Sequence, residues 1–495
     1  MFKTDDVIVY MAGAGCGKTT ALMKELEGAL KIYRPDEVAF VSFSRKATSE
    51  VKSRAKDVAA NFDEDLYPYF KTIHALTFML NDYQSQGKKI IGTQEAQHFG
   101  QVTRFKFNMN NRVEGQRNSK NPLGQECFDW WSLQRSSGRK PTPKELPEQR
   151  SYREFVELYE KFKEVNNLID YHDCLDDYLK LGKPISKIKF AIIDEAQDLT
   201  EQQWEVCFKL FEDAKSIRIA GDDWQSIYKY QGASPAKFIE IANAYKLVKL
   251  EKSYRLPVSV SKLANKISEK IIEKVEKKVK PVKDEEGRIE MFTSVAHFVE
   301  YIDMVARDSE WFILTRANYQ IQDIAQVLKK KLILFSYSNG FVLPETELLK
   351  IKQYYRWAKD IDKPSDDIKF CKKHGIKGDK WPDWWNTNLV HIRWRNLIRE
   401  YEKRYGFEKL YKLSYMGSNI LLTTVFRVKG GEADNVGILT ATTRKIEAAR
   451  YEDNDNELRI LYTAITRTKR NLFFIKTESD FDMYKRIKYL RDEVK

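Results

Sequence analysis

The sequence predicts an α/β protein with two parallel-sheet domains, each interrupted by an inserted, mainly helical subdomain. Short apolar segments that read as buried strands alternate with helical segments in both halves of the chain. A glycine-rich turn joins the first strand to the first helix, and two longer stretches break the alternation. Because parallel strands need long crossover connections, which are usually helices, this alternation indicates parallel sheets covered by helices.

The first domain is predicted to comprise residues 1–80 and 185–247, with residues 81–184 as its insertion. Its predicted strands are Val7–Met11, Val38–Ser44, Ile188–Asp194 and Ser216–Gly221. Helices are expected through Leu30 and over Lys46–Ala60. The insertion has a basic, Asn-rich stretch and several prolines before helical spacing returns at Arg150–Lys163, which sets it apart from the α/β pattern.

The second domain is predicted to comprise residues 248–342 and 416–495, with residues 343–415 as a shorter insertion. Its strands are predicted at Trp311–Thr315, Ile420–Val425, Val436–Thr440 and Asn471–Lys476, with a last helix from Asn456. The insertion contains Trp381, Trp384, Trp385 and Trp394. These rings form either the core of a small subdomain or a surface that splits base pairs. The Lys/Glu run at 269–286 is interpreted as a solvated helix face.

The composition fits a globular protein with an anionic partner. Of the 495 residues, 42% are hydrophobic and 32% are charged, and the formal net charge is +13. This balance favours nucleic acid as the partner. Five cysteines without a CxxC pair argue against a zinc ribbon, an iron–sulfur cluster or a disulfide framework. No signal peptide or membrane-spanning run is visible, so we expect a cytoplasmic protein that does not bind membranes.

The segment Ala12–Thr19, with the sequence AGAGCGKT, lies between a predicted strand and a predicted helix. Glycines in this context let backbone N–H groups converge on phosphate oxygens, and the helix N-terminus favours negative charge. Lys18 is expected to reach the β- and γ-phosphates of ATP, and the Thr19 hydroxyl to bind Mg²⁺. Ala12 replaces the glycine of the strict pattern. Cys16 is either a small filler or an oxidation-sensitive thiol.

Two adjacent carboxylates, Asp194 and Glu195, follow another apolar strand within the segment Ile192–Asp198. Adjacent buried carboxylates are costly unless a cation offsets them. Asp194 is therefore expected to hold Mg²⁺, and Glu195 to polarise the water that attacks ATP. Together with the phosphate loop, the pair predicts ATP hydrolysis.

Seven further stretches resemble the ordered motifs of the UvrD/Rep/PcrA group of superfamily 1 helicases. They are Val41–Glu50, Thr72–His74, Ala220–Tyr228, Leu250–Arg255, Ile313–Arg316, Lys429–Glu432 and Leu461–Arg467. The motifs span nearly the whole chain, whereas the two insertions carry no recognisable signature. The resemblance implies two RecA-like domains that bind ATP in the cleft between them.

The resemblance also assigns roles to individual residues. Gln225 would sense the γ-phosphate or its attacking water, while Arg255 and Arg467 would reach the transferring phosphoryl group from the second domain. Tyr254 would stack on adenine, although a core tyrosine is an alternative. No adenine-reading glutamine motif is visible, so base preference stays open. The implied nucleotide-binding residues are Ala12, Gly13, Ala14, Gly15, Cys16, Gly17, Lys18, Thr19, Thr20, Tyr254, Arg255, Glu432 and Arg467.

The resemblance implies a track for single-stranded DNA, since aromatic rings stack on bases while hydroxyl and basic groups bind phosphates. The implied contacts are Phe43, Thr72, His74, Tyr228 and Tyr230; each has packing as an alternative role. The sequence departs from the family at three positions. Tyr230 replaces a tryptophan, Gln231 an arginine and Phe426 a histidine.

The expected function is an ATP-dependent DNA helicase with 3′→5′ polarity, a direction that comes from the resemblance alone. Two alternatives stay open: a translocase that displaces proteins or remodels recombination intermediates with little unwinding, and a nucleotide-gated binding module without motor activity. Expected partners are single-stranded DNA, single-strand/duplex junctions, and replication or repair proteins. The chain is expected to act as a monomer, associated with the nucleoid, or in an infected host cell if it is virus-encoded.

Overall fold

The computed structural model describes residues 1–43, 45–58, 63, 65–109, 123–138, 150–305, 309–338, 340–359, 369, 372–373, 390–479 and 481–492. Contacts divide the chain into two compact units. The first unit comprises Met1–Glu286 together with Lys445–Thr466. The second comprises Gly287–Arg444 together with the described residues from Arg467 onward. Each unit is therefore built from segments that are distant in the sequence.

The strands, in chain order, are β1 Val7–Ala12, β2 Val38–Ser42, β3 Phe70–Thr72, β4 Lys89–Ile90, β5 Leu168–Ile169, β6 Phe190–Asp194, β7 Ser216–Gly221, β8 Lys246–Leu250, β9 Lys252–Ser253, β10 Lys280–Pro281, β11 Arg288–Phe292, β12 Trp311–Thr315, β13 Ser336–Tyr337, β14 Gly340–Phe341, β15 Ile420–Thr424, β16 Ala433–Leu439 and β17 Thr468–Ile475.

The helices are α1 Lys18–Leu30, α2 Arg45–Val58, α3 Ile73–Leu80, α4 Thr93–Val102, α5 Leu123–Ser136, α6 Arg150–Val165, α7 Tyr171–Leu181, α8 Glu201–Leu210, α9 Pro235–Ala244, α10 Val258–Ser268, α11 Val295–Val305, α12 Gln320–Lys330, α13 Glu345–Ala358, α14 Ile392–Tyr405, α15 Phe407–Met416, α16 Arg444–Glu452, α17 Asn454–Ile465 and α18 Tyr484–Asp492.

The first unit contains a six-stranded sheet in the order β3-β2-β6-β7-β1-β8, and its neighbouring strands run parallel. Strands β2 and β6 are buried along their whole length, as expected for central strands covered on both faces. The carboxyl ends of β1, β6 and β7 meet at one edge of this sheet. That edge carries the phosphate loop, the acidic pair and the loop to Gln225, consistent with ligand sites of open parallel sheets.

The second unit contains a seven-stranded sheet in the order β11-β17-β16-β12-β15-β13-β14. Its pairings are parallel except for the short antiparallel pair β13–β14. Trp311 and Phe473 stack in its core with their ring centroids 5.2 Å apart. Both sheets thus confirm the predicted α/β class with parallel strands.

Most predicted elements match within one or two residues, but three expectations differ from the structure. Residues 269–286 contain no helix: the N–H groups of Glu269, Lys270 and Ile271 bond back to the end of α10, but the bonded N–H groups after them reach side chains and neighbouring strands instead of their own preceding carbonyls. Helix α17 is not the last, since α18 follows β17. Strands β16 and β17 begin at Ala433 and Thr468, each three residues before its predicted start.

The boundary between the units also differs from the sequence-based division. Strand β8 pairs with β1, and the chain stays with the first unit as far as Glu286 instead of leaving it near residue 247. Helix α17 belongs to the first unit as well. The predicted division into four segments stays a prediction. Of the four tryptophans of the second insertion, only Trp394 lies among the described residues, packed partly buried against the core.

Candidate nucleotide and nucleic-acid site

The phosphate loop connects β1 to α1 with two left-handed glycines. Gly15 has φ +68° and Gly17 has φ +73°, a region that other residues rarely adopt. Lack of space is a second reason for glycine at position 15, because a Cβ there would lie 2.6 Å from the Cβ of Arg255. The loop therefore keeps a conformation in which successive backbone N–H groups can surround an anion.

Four hydrogen bonds fasten this loop to the rest of the first unit. Ser253 Oγ donates to the Ala14 carbonyl over 2.8 Å, and Ala14 N donates to the Tyr462 hydroxyl over 3.3 Å. Tyr254 N donates to the Gly15 carbonyl over 3.0 Å, and Gly13 N to the Leu250 carbonyl over 2.9 Å. Strand β8, the segment after it and helix α17 together hold the loop.

Lys18 brings the loop and the acidic pair together. Its Nζ lies 2.5 Å from Glu195 Oε1 and 3.4 Å from Asp194 Oδ1. Burial alone would lower the pKa of Lys18, but the two carboxylates raise it above the ordinary lysine value. Burial raises the pKa of Asp194, with Lys18 opposing that rise. These three predicted residues thus share one charged cluster.

Gln197, for which no role was predicted, links this cluster to the next loop. Its Nε2 donates to Glu195 Oε2 over 2.5 Å, and its Oε1 accepts from Asp222 N over 3.0 Å. Gly221 must lack a side chain here, because a Cβ would lie 2.6 Å from Gln197 Oε1. The only sequence signal for Gln197 is its place two residues after Glu195.

Gln225 is bound to Asp222, a second residue that the sequence analysis did not single out. Gln225 Nε2 donates to Asp222 Oδ2 over 2.6 Å, while Trp224 N donates to Asp222 Oδ1 over 3.1 Å. The structure therefore shows a continuous path of contacts from Lys18 through Glu195, Gln197 and Asp222 to Gln225.

Arg255 and Tyr254 lie beside the phosphate loop, within the same unit. Arg255 Nη1 donates to the Thr466 carbonyl over 3.1 Å. The Tyr254 ring is 60% exposed and lies 3.8 Å from where a Cβ of Gly17 would stand. An exposed ring next to the loop suits stacking on a flat ligand and argues against the core alternative. The resemblance had placed Arg255 on the second domain, whereas its segment remains in the first unit.

Side-chain oxygen atoms at the start of α1 and at the end of β6 suit a cation that is bound to phosphate. Thr19 is half-buried at the start of α1, and Thr20 next to it is exposed. Ser42 pairs with Asp194 across β2 and β6, and its buried Oγ has no hydrogen-bond partner among the described residues. Within that part of the chain, no group of three or more His, Cys, Asp or Glu side chains forms a metal site. The oxygen donors at Thr19 and Asp194 suit Mg²⁺ completed by phosphate and water.

Three of the five predicted DNA-contacting residues lie together. The Phe43 and Tyr228 rings stack with their centroids 5.7 Å apart, and Tyr230 lies 6.3 Å from Tyr228. All three are half-buried, so part of each ring reaches the surface. We call Phe43, Tyr228 and Tyr230 the aromatic row.

The other two predicted contacts occur at the start of α3. Thr72 pairs with Ser42 in the sheet, and its Oγ1 caps α3 by accepting from Ala75 N over 3.3 Å. His74 packs edge-on against Tyr171, at 5.1 Å between centroids. Tyr171 is 39% exposed and was not predicted; a tyrosine at the start of a helix gives no sequence signal of its own.

Comparisons with known proteins agree with this geometry. The UvrD/REP helicase N-terminal domain matches residues 2–246, and the UvrD-like helicase C-terminal domain matches residues 419–475. The chain belongs to the UvrD/REP helicase family. The two matched regions include all of the predicted site residues except Tyr254 and Arg255.

Relatives of this UvrD/REP-family chain carry helicase names. The ATP-dependent DNA helicase Rep of Buchnera aphidicola subsp. Schizaphis graminum is 24% identical over 488 residues, which cover 84% of this chain and 70% of the relative. The Rep helicase of Escherichia coli is 24% identical, covering 75% of this chain and 58% of the relative. The ATP-dependent DNA helicase PcrA of Bacillus subtilis is 22% identical, covering 74% of this chain and 53% of the relative. The chain thus spans little more than half the length of two of these three.

The second unit of this family member carries Arg467, Glu432 and Phe426. Arg467 is buried and donates from Nη1 to the Gly431 carbonyl over 3.3 Å, while Glu432 is exposed. The guanidinium of Arg316 lies over the Phe426 ring, 5.1 Å from its centroid. None of the helices in the described ranges has the length and apolar character to cross a membrane.

Proposed function

We propose that this chain is an ATP-dependent DNA helicase that moves 3′→5′ along single-stranded DNA and separates duplex. The contact path from Lys18 to Gln225 supports the ATPase part most directly, because it joins a phosphate loop, an acidic pair and a polar sensor. The family membership and the names of the relatives support the DNA helicase part. The polarity rests on the family resemblance.

The predicted site residues have distinct tasks in this proposal. Lys18 and the loop N–H groups bind the phosphates, and Thr19 with Asp194 holds Mg²⁺. Bound Mg²⁺ would offset the charge of the phosphate oxygens. Glu195 accepts a proton from the attacking water, and Gln197 orients Glu195 from the other side. Gln225 orients the same water, while Arg255 and Arg467 stabilise negative charge on the transferred group.

The nucleic-acid track is proposed along the aromatic row, with Thr72 and His74 beside it. Partly exposed rings offer stacking surfaces that accept any base, as expected of a motor that steps along varied sequences. The positive net charge of the chain adds attraction to phosphates. Single-strand/duplex junctions are the proposed substrates. A monomer that works with replication or repair proteins is the proposed working form.

The test combines hydrolysis and unwinding by the purified chain. We expect ATPase activity to rise on adding single-stranded DNA, and duplexes with a 3′ tail to be displaced. Displacement from 5′-tailed duplexes alone would contradict the polarity. Strong strand-stimulated hydrolysis with negligible displacement would favour the translocase, and hydrolysis that ignores DNA would favour the nucleotide-gated module.

Two substitutions test the assignments within the site. Glu195→Gln keeps the shape of the side chain but cannot accept the proton, so kcat should fall about 10²–10⁴-fold while ATP still binds. Lys18→Ala should lose ATP binding as well, because its ammonium contacts the phosphates. Lys24→Ala is the matched control, an exposed lysine on the same helix α1. Strong residual turnover in Glu195→Gln would undo the proton-acceptor assignment.

A further inference from the structure

Lys277 is a fully buried cation that is not one of the predicted site residues. Its side chain is 0% exposed and its Nζ lies 3.1 Å from Asp222 Oδ1, with a closer contact to Asp223 Oδ1. The ammonium also lies over the Trp224 ring, 3.9 Å from its centroid. It therefore contacts three successive residues immediately before Gln225.

The backbone around Lys277 is held in place on both sides. We call residues 272–282 the strap. Asp455 accepts from Ile272 N and Glu273 N, and Asp223 Oδ2 accepts from Val275 N over 2.8 Å. Asn265 bonds both the N–H and the carbonyl of Val279, each over 2.9 Å. Because so many of its residues are bonded, the strap determines where the Lys277 ammonium stands.

The strap also touches the phosphate loop. A Cβ at Gly13 would lie 2.7 Å from Val279 Cγ2, so the strap fills the space where a side chain at position 13 would go. On the other side of Lys277, Trp224 packs edge-on against Tyr462, whose hydroxyl accepts from Ala14 N. The same short segment therefore contacts both the loop and the residues that lead to Gln225.

The charge of Asp222 determines how Gln225 is oriented. An ionised carboxylate only accepts hydrogen bonds, so Asp222 selects the Gln225 nitrogen and not its oxygen. A protonated Asp222 could instead donate to the Gln225 oxygen and reverse the amide. Asp222 is buried beside Asp223, and both conditions disfavour the ionised form. Lys277 is the cation that opposes both effects.

We propose that Lys277 is a positioning residue for ATP hydrolysis, which acts through Asp222 on the orientation of the Gln225 amide. This inference rests on the proposed ATPase function. The Lys277 ammonium keeps Asp222 in the form that binds the Gln225 nitrogen. The Asp222 N–H is bonded to Gln197, which in turn binds Glu195. The Asp222 side chain thus carries the effect of Lys277 to Gln225, one of the two residues assigned to the attacking water.

The test removes Lys277 without leaving a new buried charge. In Lys277→Met/Asp223→Asn, one positive and one negative charge disappear together, so the net charge of the cluster is kept. We expect the strand-stimulated kcat to fall at least about tenfold, with KM for ATP within about threefold and the thermal midpoint near that of the parent. Lys277→Arg, which keeps the charge, should retain kcat within about threefold.

A double-mutant cycle separates positioning from general damage. If Lys277 acts through Gln225, the Lys277→Met/Asp223→Asn pair should cause almost no further loss of kcat in a Gln225→Ala background. Lys280→Met is the control, since Lys280 lies on the same strap but pairs with Glu251 at the surface. Its kcat should match the parent.

Two results would overturn the proposal. One is a parent-like kcat in the charge-balanced variant Lys277→Met/Asp223→Asn. The other is a loss of kcat from this pair that is as large in the Gln225→Ala background as in the parent. If that variant does not fold, Asp222→Asn replaces it, because the amide keeps the shape but loses the charge that Lys277 binds. A parent-like kcat in Asp222→Asn then overturns the proposal. A parent without ATPase activity would refute the proposed function and this inference with it, whereas an active parent with unaffected variants refutes this inference alone.

Discussion

Glu195 combines an ionic side chain with a strained backbone. Its φ is +53°, in the left-handed region that costs non-glycine residues roughly 1–3 kcal/mol. Its N–H donates to Asp194 Oδ1 over 2.8 Å, and its carboxylate is held by Lys18 and Gln197. These contacts fix the conformation, so the strain occurs at the residue proposed to accept the proton of water.

Cys16 illustrates how burial decides between two roles for one residue. The thiol is 6% exposed, and burial, with a smaller contribution from the charge of Asp222, raises its pKa to about 12. At pH 8 about one such thiol in ten thousand is ionised, against roughly a quarter for an ordinary cysteine. The structure thus favours the small filler over the oxidation-sensitive thiol.

We therefore predict that Cys16 resists alkylation in the native protein. Treatment with iodoacetamide at pH 8, followed by peptide mass mapping, should leave Cys16 unmodified over an hour. The same treatment after unfolding in urea should modify it fully, which serves as the control. Modification of native Cys16 within minutes would contradict the buried, protonated state.

How far the site follows from sequence depends on where each residue lies. Lys18, Asp194 and Glu195 were predictable because short motifs fix them next to strand ends that meet in a parallel sheet. Gln225 was predictable from the family pattern. Ser253 and Tyr462 were not predicted as loop contacts, since neither residue type indicates which distant backbone group it will bond.

Among the secondary-structure elements, helices α5, α6 and α7 share a buried charge cluster. Lys163 Nζ lies 2.8 Å from Asp170 Oδ2 and 2.6 Å from Asp173 Oδ2. Arg135 adds a second buried cation, with Nη2 3.0 Å from Asp173 Oδ1. Asp170 also caps α7 by accepting from Asp173 N. The cluster joins the start of α7 to the two helices before it.

Lys163→Met should destabilise the chain by about 3–5 kcal/mol, because Asp170 and Asp173 would lose a buried partner. Chemical unfolding in urea measures the loss. Lys180→Met is the control, since Lys180 is exposed and pairs with Asp177 on the same helix; its effect should stay below about 1 kcal/mol. Equal effects of the two substitutions would contradict the importance of burial.

The difference in the free energy of unfolding between the parent and Lys163→Met should become smaller in acid. Burial would raise the pKa of Asp170, but Lys163 and Arg135 lower it well below the ordinary aspartate value. A lowered pKa in the folded state contributes stability that is present above the unfolded value, about 3.9, and is lost as the pH falls through the folded value. The gap between parent and Lys163→Met should therefore be full at pH 7 and decline below about pH 4.

Elements with a clear apolar period were predicted best, as β1, β7 and β12 illustrate. The prediction for residues 269–286 was wrong, because the alternating Lys and Glu residues of this run suggest a solvated helix. Four of its residues, Ile271, Val275, Lys277 and Val279, are instead buried, and Lys277 and Val279 contact residues of the site. Burial of a lysine depends on a partner elsewhere in the chain, here Asp222 and Asp223, and local spacing carries no information about that partner.

At the scale of the whole molecule, net charge and aromatic contacts should make separable contributions to DNA binding. Phosphate contacts release counterions, so affinity for oligo-dT should fall with salt; four such contacts imply a loss of roughly 50-fold between 50 and 200 mM NaCl. Tyr228→Ala should weaken binding by about 1–3 kcal/mol without altering the salt slope, since stacking releases no ions. Fluorescence anisotropy at several salt concentrations measures both.

The control for this experiment is Tyr33→Ala, a half-buried tyrosine that packs near Phe190 at the start of β6, whereas the aromatic row lies beyond the end of β2. Its affinity and salt slope should both match the parent when the protein is folded. A changed slope in Tyr228→Ala would indicate that the aromatic row acts by orienting phosphate contacts and not by stacking.

The return of helix α17 to the first unit has a consequence for synthesis on the ribosome. Arg459 donates to the carbonyls of Asp223 and Glu273, which are made long before it. At a translation speed of about 5–20 residues per second, roughly 9–37 s pass between Glu273 and Arg459. During that interval the nascent first unit lacks one of its packed helices, so the folding of the first unit can be completed only after α17 has been synthesised.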